Sequence, residues 1–91
     1  MATKWDNLSY ILRSKYRVKV LQYLSKLNAP TTPTKLKREL NIDKAHVSRA
    51  LQDLVKKNWV TCLTPKARKT KLFHITKSGI DIEKELESVK L

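Results

Sequence analysis

Two planar hydrogen-bonding side chains, Arg49 and Gln52, are three residues apart within a segment of helical periodicity. Residues three and four apart share a helix face, so Ala45 lies on that face and Ser48 at its edge. Arginine can form two hydrogen bonds with a guanine edge, and glutamine two with an adenine edge. Ala45 permits close approach or contact with a thymine methyl, and Ser48 can serve a base or a phosphate. The pattern predicts a base-reading surface, although a solvated helix face has the same spacing.

Further cationic and polar side chains occur at both ends of this helix and in the helix before it. Lys44 and His46 stand near the predicted helix start, where the positive end of the helix dipole favours phosphate. Lys56 stands near the far end, within reach of the phosphate backbone only. Thr34 and Lys35, in the first turn of the preceding predicted helix, are also expected to contact phosphate.

A basic loop lies further along the chain, between two runs that favour strands. Its cations are Lys66, Arg68, Lys69 and Lys71. We expect this loop, residues 65–71, to lie along a phosphate backbone or to enter a minor groove. A loop that merely keeps the chain in solution is the alternative, because most charge runs do no more than that.

The whole chain is strongly basic. Its 91 residues carry 20 Lys and Arg against eight Asp and Glu, a net charge of +12. Residues 59–78 hold five basic and no acidic side chains, whereas residues 79–91 hold four acidic and two basic ones. Such a chain attracts polyanions, among which nucleic acid leads. The sequence has no apolar run typical of a signal peptide or a membrane span, so we expect a cytoplasmic, nucleoid-associated protein without membrane contact.

The remaining reactive residues form no set that predicts catalysis or metal binding. Cys62, His46 and His74 lack the spacing of metal ligands, and a lone cysteine permits no intramolecular disulfide. We therefore expect no enzyme, no metal and no cofactor, with a redox-sensing thiol at Cys62 as the alternative. Three acidic residues are expected on a solvated helix and are poor catalytic candidates: Glu83, Glu85 and Glu87.

The predicted base-reading surface requires a helix that is held in place by packing on an apolar core. Periodicity predicts helices over residues 7–13, 14–27, 33–40 and 44–57. Three residues are expected N-caps: Ser14, Thr32 and Asp43. Leu8, Ile11 and Leu12 form the first apolar face, which is out of phase with the next helix, so one continuous helix with two faces is the alternative. Asn41 is expected to adopt the left-handed conformation in the turn, as glycine often does.

The second half of the chain predicts a hairpin and a closing helix. Residues 59–64 and 71–75 favour strands and read as an antiparallel pair joined by the basic loop. Thr76 is expected to cap a last helix with Ile82, Leu86 and Val89 on one stripe. Helix, three-residue turn and helix over residues 33–57 form a helix-turn-helix arrangement, in which the second helix enters the major groove.

The chain resembles the winged-helix regulators of the broad ArsR-like and MarR-like group, archaeal members most of all. The resemblance rests on residues 32–36, 39–42, 46–54, 58–60 and 73–79. It spans roughly residues 14–90 and implies an α+β, mainly α, winged helix-turn-helix with a three-helix core, a hairpin wing and a C-terminal helix. The chain length predicts a single domain over residues 1–91, with an extra N-terminal helical segment. The resemblance also implies a recognition helix at about 44–57 and frequent homodimers. Asn41 replaces the usual glycine, and the lone Cys62 argues against metal sensing.

The sequence therefore predicts specific binding of double-stranded DNA by a transcription regulator. Two alternatives use the same features: a low-specificity chromosomal protein that coats DNA, and a winged-helix interaction module in a transcription or RNA-processing assembly. The apolar face of the N-terminal segment has no obvious place in a monomer. We expect it to join the last helix in a homodimer interface, which would set two recognition helices about one DNA turn apart.

Overall fold

A computed structural model describes residues 4–68 and 70–89, and within them helices and two short strands follow the predicted order. The elements are α1 (Lys4–Leu12), α2 (Lys15–Leu27), α3 (Pro33–Leu40), α4 (Lys44–Lys56), β1 (Val60–Cys62), β2 (Phe73–Ile75) and α5 (Lys77–Val89). The predicted winged helix-turn-helix is confirmed in its main features, with α3 and α4 as the helix-turn-helix and the β1–β2 hairpin as the wing. No helix in these ranges is long and apolar enough to cross a membrane.

Short polar side chains begin most of these helices. The Ser14 hydroxyl accepts a hydrogen bond from the Arg17 N–H at 3.3 Å, so α1 and α2 are separate helices rather than one. The Thr32 hydroxyl likewise accepts from the Lys35 N–H at 3.2 Å. Asp43 occupies the N-cap position of α4, but its side chain makes no capping hydrogen bond. The predicted N-cap position is therefore confirmed, without the side-chain hydrogen bond that Ser14 and Thr32 make.

An asparagine takes the left-handed conformation after each of α2, α3 and α4. Asn28, Asn41 and Asn58 have φ angles of 45°, 53° and 62°. Asparagine tolerates this region better than most residues with a side chain because its short amide can bond locally. Asn41 ends α3 this way, with its N–H donating to the Lys37 carbonyl, as the sequence predicted.

The centre of the core lies where α2, α3 and α4 meet. Leu21, Leu24, Leu36, Leu51 and Leu54 are almost completely buried there. Each fully buried leucine contributes about 1.5–3 kcal/mol relative to an exposed one, so this cluster fixes how α4 sits on the fold.

The N-terminal helix departs from the prediction in three ways. It begins at Lys4 rather than residue 7, and Asp6 in its first turn complements the helix dipole. Leu8 and Ile11 are buried within the same chain, so the expectation that this face has no place in a monomer is wrong. Leu12, expected beside them, is 55% exposed, because α1 ends there and α2 departs in a new direction.

The wing is a short antiparallel hairpin extended by a third segment. Val60 pairs with Ile75 and Cys62 with Phe73. Thr31, before α3, exchanges two backbone hydrogen bonds with Phe73, at 2.8 and 2.9 Å, and thereby ties the hairpin to the helix-turn-helix. The strands, residues 60–62 and 73–75, are shorter than the predicted runs over residues 59–64 and 71–75.

Helix α5 closes the fold against the base of the wing. The Thr76 hydroxyl accepts from the Gly79 N–H at 3.0 Å, which confirms the predicted cap. Gly79 lies so close to Trp59 that a Cβ atom would be 2.1 Å from the Trp59 carbonyl oxygen. Glycine is required here by the approach of two backbones rather than by an unusual φ angle.

Glu83 corrects the expectation of a fully solvated acidic helix. It is one of the buried residues of α5, and its Oε2 atom lacks a hydrogen-bond partner. Burial raises the pKa of the Glu83 carboxyl above its ordinary value, helped by the charge of Glu87 and opposed by a hydrogen bond with Ser25. The α5 carboxylates thus include one that packs against α2 instead of facing water.

Candidate nucleic-acid interface

Helix α4 divides into a buried stripe and an open stripe. Val47, Ala50, Leu51 and Leu54 are buried. On the opposite side, four predicted contact residues are all exposed: Ala45, Arg49, Gln52 and Lys56. The apolar residues recur at spacings of three and four, and the exposed ones do the same half a turn away, so core packing itself presents the polar stripe to the outside.

An open cleft of about 790 Å³ separates α4 from the wing. Seven of the predicted contact residues line it: Thr34, Lys44, Ser48, Gln52, Lys56, Arg68 and Lys71. Leu51, Val55, Cys62 and Phe73 also line this cleft and supply its apolar wall. The helix-turn-helix and the wing therefore contribute residues to one surface. The sequence predicted these residues on separate elements and did not show that they meet.

Five other predicted residues are exposed but do not line the cleft. Ala45, Arg49 and His46 are exposed on α4, Lys35 is exposed on α3, and Lys66 is exposed on the loop. Lys69 lies outside the described residues. The cleft therefore gathers seven of the predicted contact residues, and five more are exposed outside its lining.

Thr64 holds the base of the basic loop. The Leu63 N–H donates to the Leu72 carbonyl at 2.7 Å, continuing the hairpin beyond the strands. The Thr64 hydroxyl accepts from the Leu72 N–H at 2.9 Å, and the Thr64 carbonyl accepts from the Ala67 N–H at 3.0 Å. These bonds fix both ends of the loop, and Arg68 and Lys71 line the cleft from its two sides.

The flank of α4 that faces away from the wing is held by the start of α2. The Tyr16 ring stacks on the His46 ring, with centroids 4.2 Å apart and planes 17° from parallel. The Arg17 guanidinium forms an ion pair with the Asp53 carboxylate at 3.0 Å. One flank of α4 is therefore open and the other is braced.

Tyr16 and Arg17 are the residues that sequence reasoning missed. Their partners lie 30 or more positions away on another helix, and neither residue belongs to the apolar periodicity that located α4. His46 was predicted as a phosphate contact, and its stack on Tyr16 holds the ring while leaving 48% of the side chain exposed. Only the three-dimensional arrangement shows this support.

The thiol and imidazole groups are scattered. Cys62 is half-buried at the cleft wall, and His74 is half-buried on the neighbouring strand. Within residues 4–68 and 70–89, no three His, Cys, Asp or Glu side chains gather as a metal-binding group. The chemistry that the described surface offers is hydrogen bonding and positive charge.

Comparison with known proteins identifies this arrangement. The model of the MarR family matches residues 16–65, which include all but the first residue of α2, the helix-turn-helix and the first strand of the wing. The chain belongs to the MarR family. This family comprises transcription regulators, and membership confirms the MarR-like half of the resemblance seen in the sequence, while the particular likeness to archaeal members stays a prediction.

Individual relatives of this MarR-family chain agree in fold and sequence. An uncharacterised HTH-type transcriptional regulator, YdgG of Bacillus subtilis, is 36% identical over 66 residues, which cover 69% of this chain and 43% of YdgG. Wild-type MarR from E. coli, in its apo form, superposes with a TM-score of 0.72 at 29% identity, covering 91% of this chain and 65% of MarR. An E. coli MarR mutant complexed with operator DNA superposes with a TM-score of 0.70 at 29% identity, covering 91% of this chain and 63% of the mutant. The chain thus spans less than two thirds of the length of each of these relatives.

Proposed function

We propose that this chain binds double-stranded DNA sequence-specifically as a transcription regulator of the MarR family. The observation that carries the proposal is the open stripe of α4, where Arg49 and Gln52 are exposed beside a basic wing. A helix with its side chains is about 10–12 Å across, and the major groove of B-DNA is about 12 Å wide. The relative solved with operator DNA, a MarR mutant, has the same fold and supports the proposal.

Base reading is assigned to four residues of α4. Arg49 donates two hydrogen bonds to guanine, and Gln52 pairs with adenine through its amide. Ser48 lines the cleft beside Gln52 and reaches a base or a phosphate. Ala45 sits one turn before Arg49, where its small side chain lets the helix approach the floor of the groove or touch a thymine methyl.

Phosphate binding is assigned to the surrounding polar and cationic residues. They act through charge and hydrogen bonds, which fix register and orientation without reading sequence. On the helices they are Thr34, Lys35, Lys44, His46 and Lys56. On the wing they are Lys66, Arg68, Lys69 and Lys71, which lie along the backbone or enter the minor groove. Because residues 59–78 contain no acidic side chain, no neighbouring carboxylate within that stretch opposes this contact.

A homodimer is the assembly that we propose for DNA binding. Trp5 is 66% exposed and Leu12 is 55% exposed on α1, so this helix retains an uncovered apolar edge after its other face is buried. That edge and α5 would form the two-fold interface, with the two α4 helices about one DNA turn apart. Sedimentation at tens of micromolar should give a dimer for wild type and a monomer for the Trp5→Ser and Leu12→Ser double variant. A monomeric wild type would contradict this assembly.

Selection on random duplex DNA tests the proposed function. The protein would be incubated with a random library at near-physiological salt and an excess of competitor RNA, and bound duplexes sequenced. We expect one enriched motif, an inverted repeat if the dimer forms. Retained DNA without enrichment would instead indicate a chromosomal coating protein, and no retention would indicate an interaction module with a protein or RNA partner. Either result would overturn the proposal.

A further inference from the structure

One arginine, Arg17, joins three helices behind the open stripe of α4. From α2, its guanidinium donates to the Asp53 carboxylate of α4 through Nε at 3.1 Å, and it donates to the Tyr10 carbonyl at the end of α1 at 2.7 Å. It also lies over the Tyr10 ring, 4.0 Å from the centroid. The Arg17 and Asp53 side chains are 17% and 18% exposed, so their pair is largely shielded from water.

The partner of Arg17 has a second cation within reach along its own helix. Asp53 follows Arg49 by four residues, the spacing at which opposite charges on a helix attract each other. Arg49 is exposed, and no ion pair or hydrogen bond with another residue of 4–68 or 70–89 holds its side chain. Lys57, four residues after Asp53, has its ammonium over the Tyr10 ring at 4.7 Å. Asp53 is thus the carboxylate best placed to capture Arg49.

We propose that Arg17 is a positioning residue that keeps Arg49 available to DNA by occupying the Asp53 carboxylate. This inference rests on the proposed function of the α4 stripe. The planar guanidinium suits the task because its donors satisfy Asp53 and the Tyr10 carbonyl at once, which a lysine ammonium cannot do in the same geometry. Without Arg17, the freed carboxylate pairs with Arg49 and competes with the base for it.

Two variants break the same ion pair with opposite consequences for Arg49. Arg17→Gln leaves a free carboxylate beside Arg49, whereas Asp53→Asn removes that carboxylate. Both lose the pair, so urea unfolding should show destabilisation in each. If Arg17 were merely structural, both variants would affect DNA binding alike.

The experiment measures affinity for the selected duplex and for a scrambled duplex in wild type, Arg17→Gln, Asp53→Asn and the double variant, each confirmed as folded. We expect Arg17→Gln to lower the ratio of the two affinities by up to about twofold, the upper range for an ion pair between residues four apart on a helix. Asp53→Asn should keep the wild-type ratio. The double variant should recover it although the arginine is still missing, because no carboxylate remains to capture Arg49.

Other outcomes separate the inference from the function on which it rests. An unchanged ratio in Arg17→Gln, or an equal loss in Asp53→Asn, overturns the role of Arg17 while leaving specific binding intact. A double variant whose affinity ratio is as low as that of Arg17→Gln also overturns the role of Arg17. If wild type itself does not discriminate between the two duplexes, the proposed function fails first. Should Arg17→Gln not fold, Arg17→Lys replaces it, with a smaller loss expected because one charge contact to Asp53 remains.

Discussion

Helices α4 and α5 have the same length, 13 residues, but opposite surfaces. Helix α4 buries Val47, Ala50, Leu51 and Leu54 and leaves an open stripe of cations, an amide and a small residue. Helix α5 buries Gly79 and Glu83 as well as Ile82 and Leu86, and the last 13 residues of the chain have an excess of acid. Both helices pack by the same periodicity. Their different roles therefore come from which residue types occupy the exposed and the tightly packed positions.

The two helices also differ in how they are held. Helix α4 is packed on the leucine core and braced by Arg17 and Tyr16 on one flank, which leaves its other flank open to the cleft. Helix α5 is fixed by a close backbone approach at Gly79. The comparison indicates that α4 is built to present side chains and α5 to close the fold. Four substitutions test this division, in order of decreasing expected effect.

Replacing Gly79 with alanine should break the docking of α5. An added Cβ would meet the Trp59 carbonyl oxygen at 2.1 Å and the Ile75 side chain at 2.7 Å, so the backbones must separate. We expect a loss of about 3 kcal/mol in the free energy of unfolding, measured in urea. In an unconstrained helix the same change would stabilise by about 1 kcal/mol. The neighbouring exposed Ser78→Ala serves as control, and a stabilised Gly79→Ala would contradict the close approach.

Replacing Arg49 with alanine should damage base reading without affecting the fold. The loss of two hydrogen bonds to a base should cost about 1–3 kcal/mol on the selected duplex and relax the preference at one base pair. Titration of duplexes substituted at each position measures this. Lys84→Ala, on the exposed side of α5, removes a charge of the same sign and should change neither quantity. Equal losses on every duplex would mean that Arg49 contacts phosphate only.

Replacing Lys71 with alanine should weaken binding to all duplexes alike. Lys71 lines the cleft on its wing side, where the proposal places a phosphate. Loss of one phosphate contact should reduce the slope of log affinity against log salt by about one. The slope is measured between low and near-physiological salt on the selected and scrambled duplexes. A change confined to the selected duplex would assign Lys71 to base reading instead.

Replacing Glu83 with glutamine should give the smallest effect, on stability and its pH dependence. Because burial raises the pKa of the Glu83 carboxyl in the folded chain, the folded state binds this proton more tightly than the unfolded state does. Stability from this group is present below the unfolded pKa and is lost as pH rises through the folded value. At neutral pH, Glu83→Gln should therefore unfold at a higher urea concentration than wild type. The difference should disappear in acid, where the Glu83 carboxyl of wild type is protonated. Asp81→Asn is the exposed control, and a pH-independent difference would contradict the raised pKa.

Local signals in the sequence predicted much of the fold and most of the surface. Thr32, Pro33 and Asn41 fixed both ends of α3 because capping and turn geometry depend on neighbouring residues. The exposed stripe of α4 followed from spacing in the same way. Those signals put Leu12 on one apolar face with Leu8 and Ile11, and Glu83 in water. Periodicity shows neither where α1 ends nor how α5 packs on α2. The Arg17–Asp53 pair, separated by 36 positions, depends wholly on how the helices pack.

The ratio of specific to non-specific affinity tests the central claim most directly. Affinities for the selected duplex and for a scrambled duplex of equal length would be measured at one near-physiological salt concentration. A sequence-reading α4 predicts a ratio of about 10³ or more, which charge alone does not produce. A ratio near one, with both affinities falling steeply as salt increases, would mean that the surface binds DNA only as a polyanion and would contradict base reading by α4.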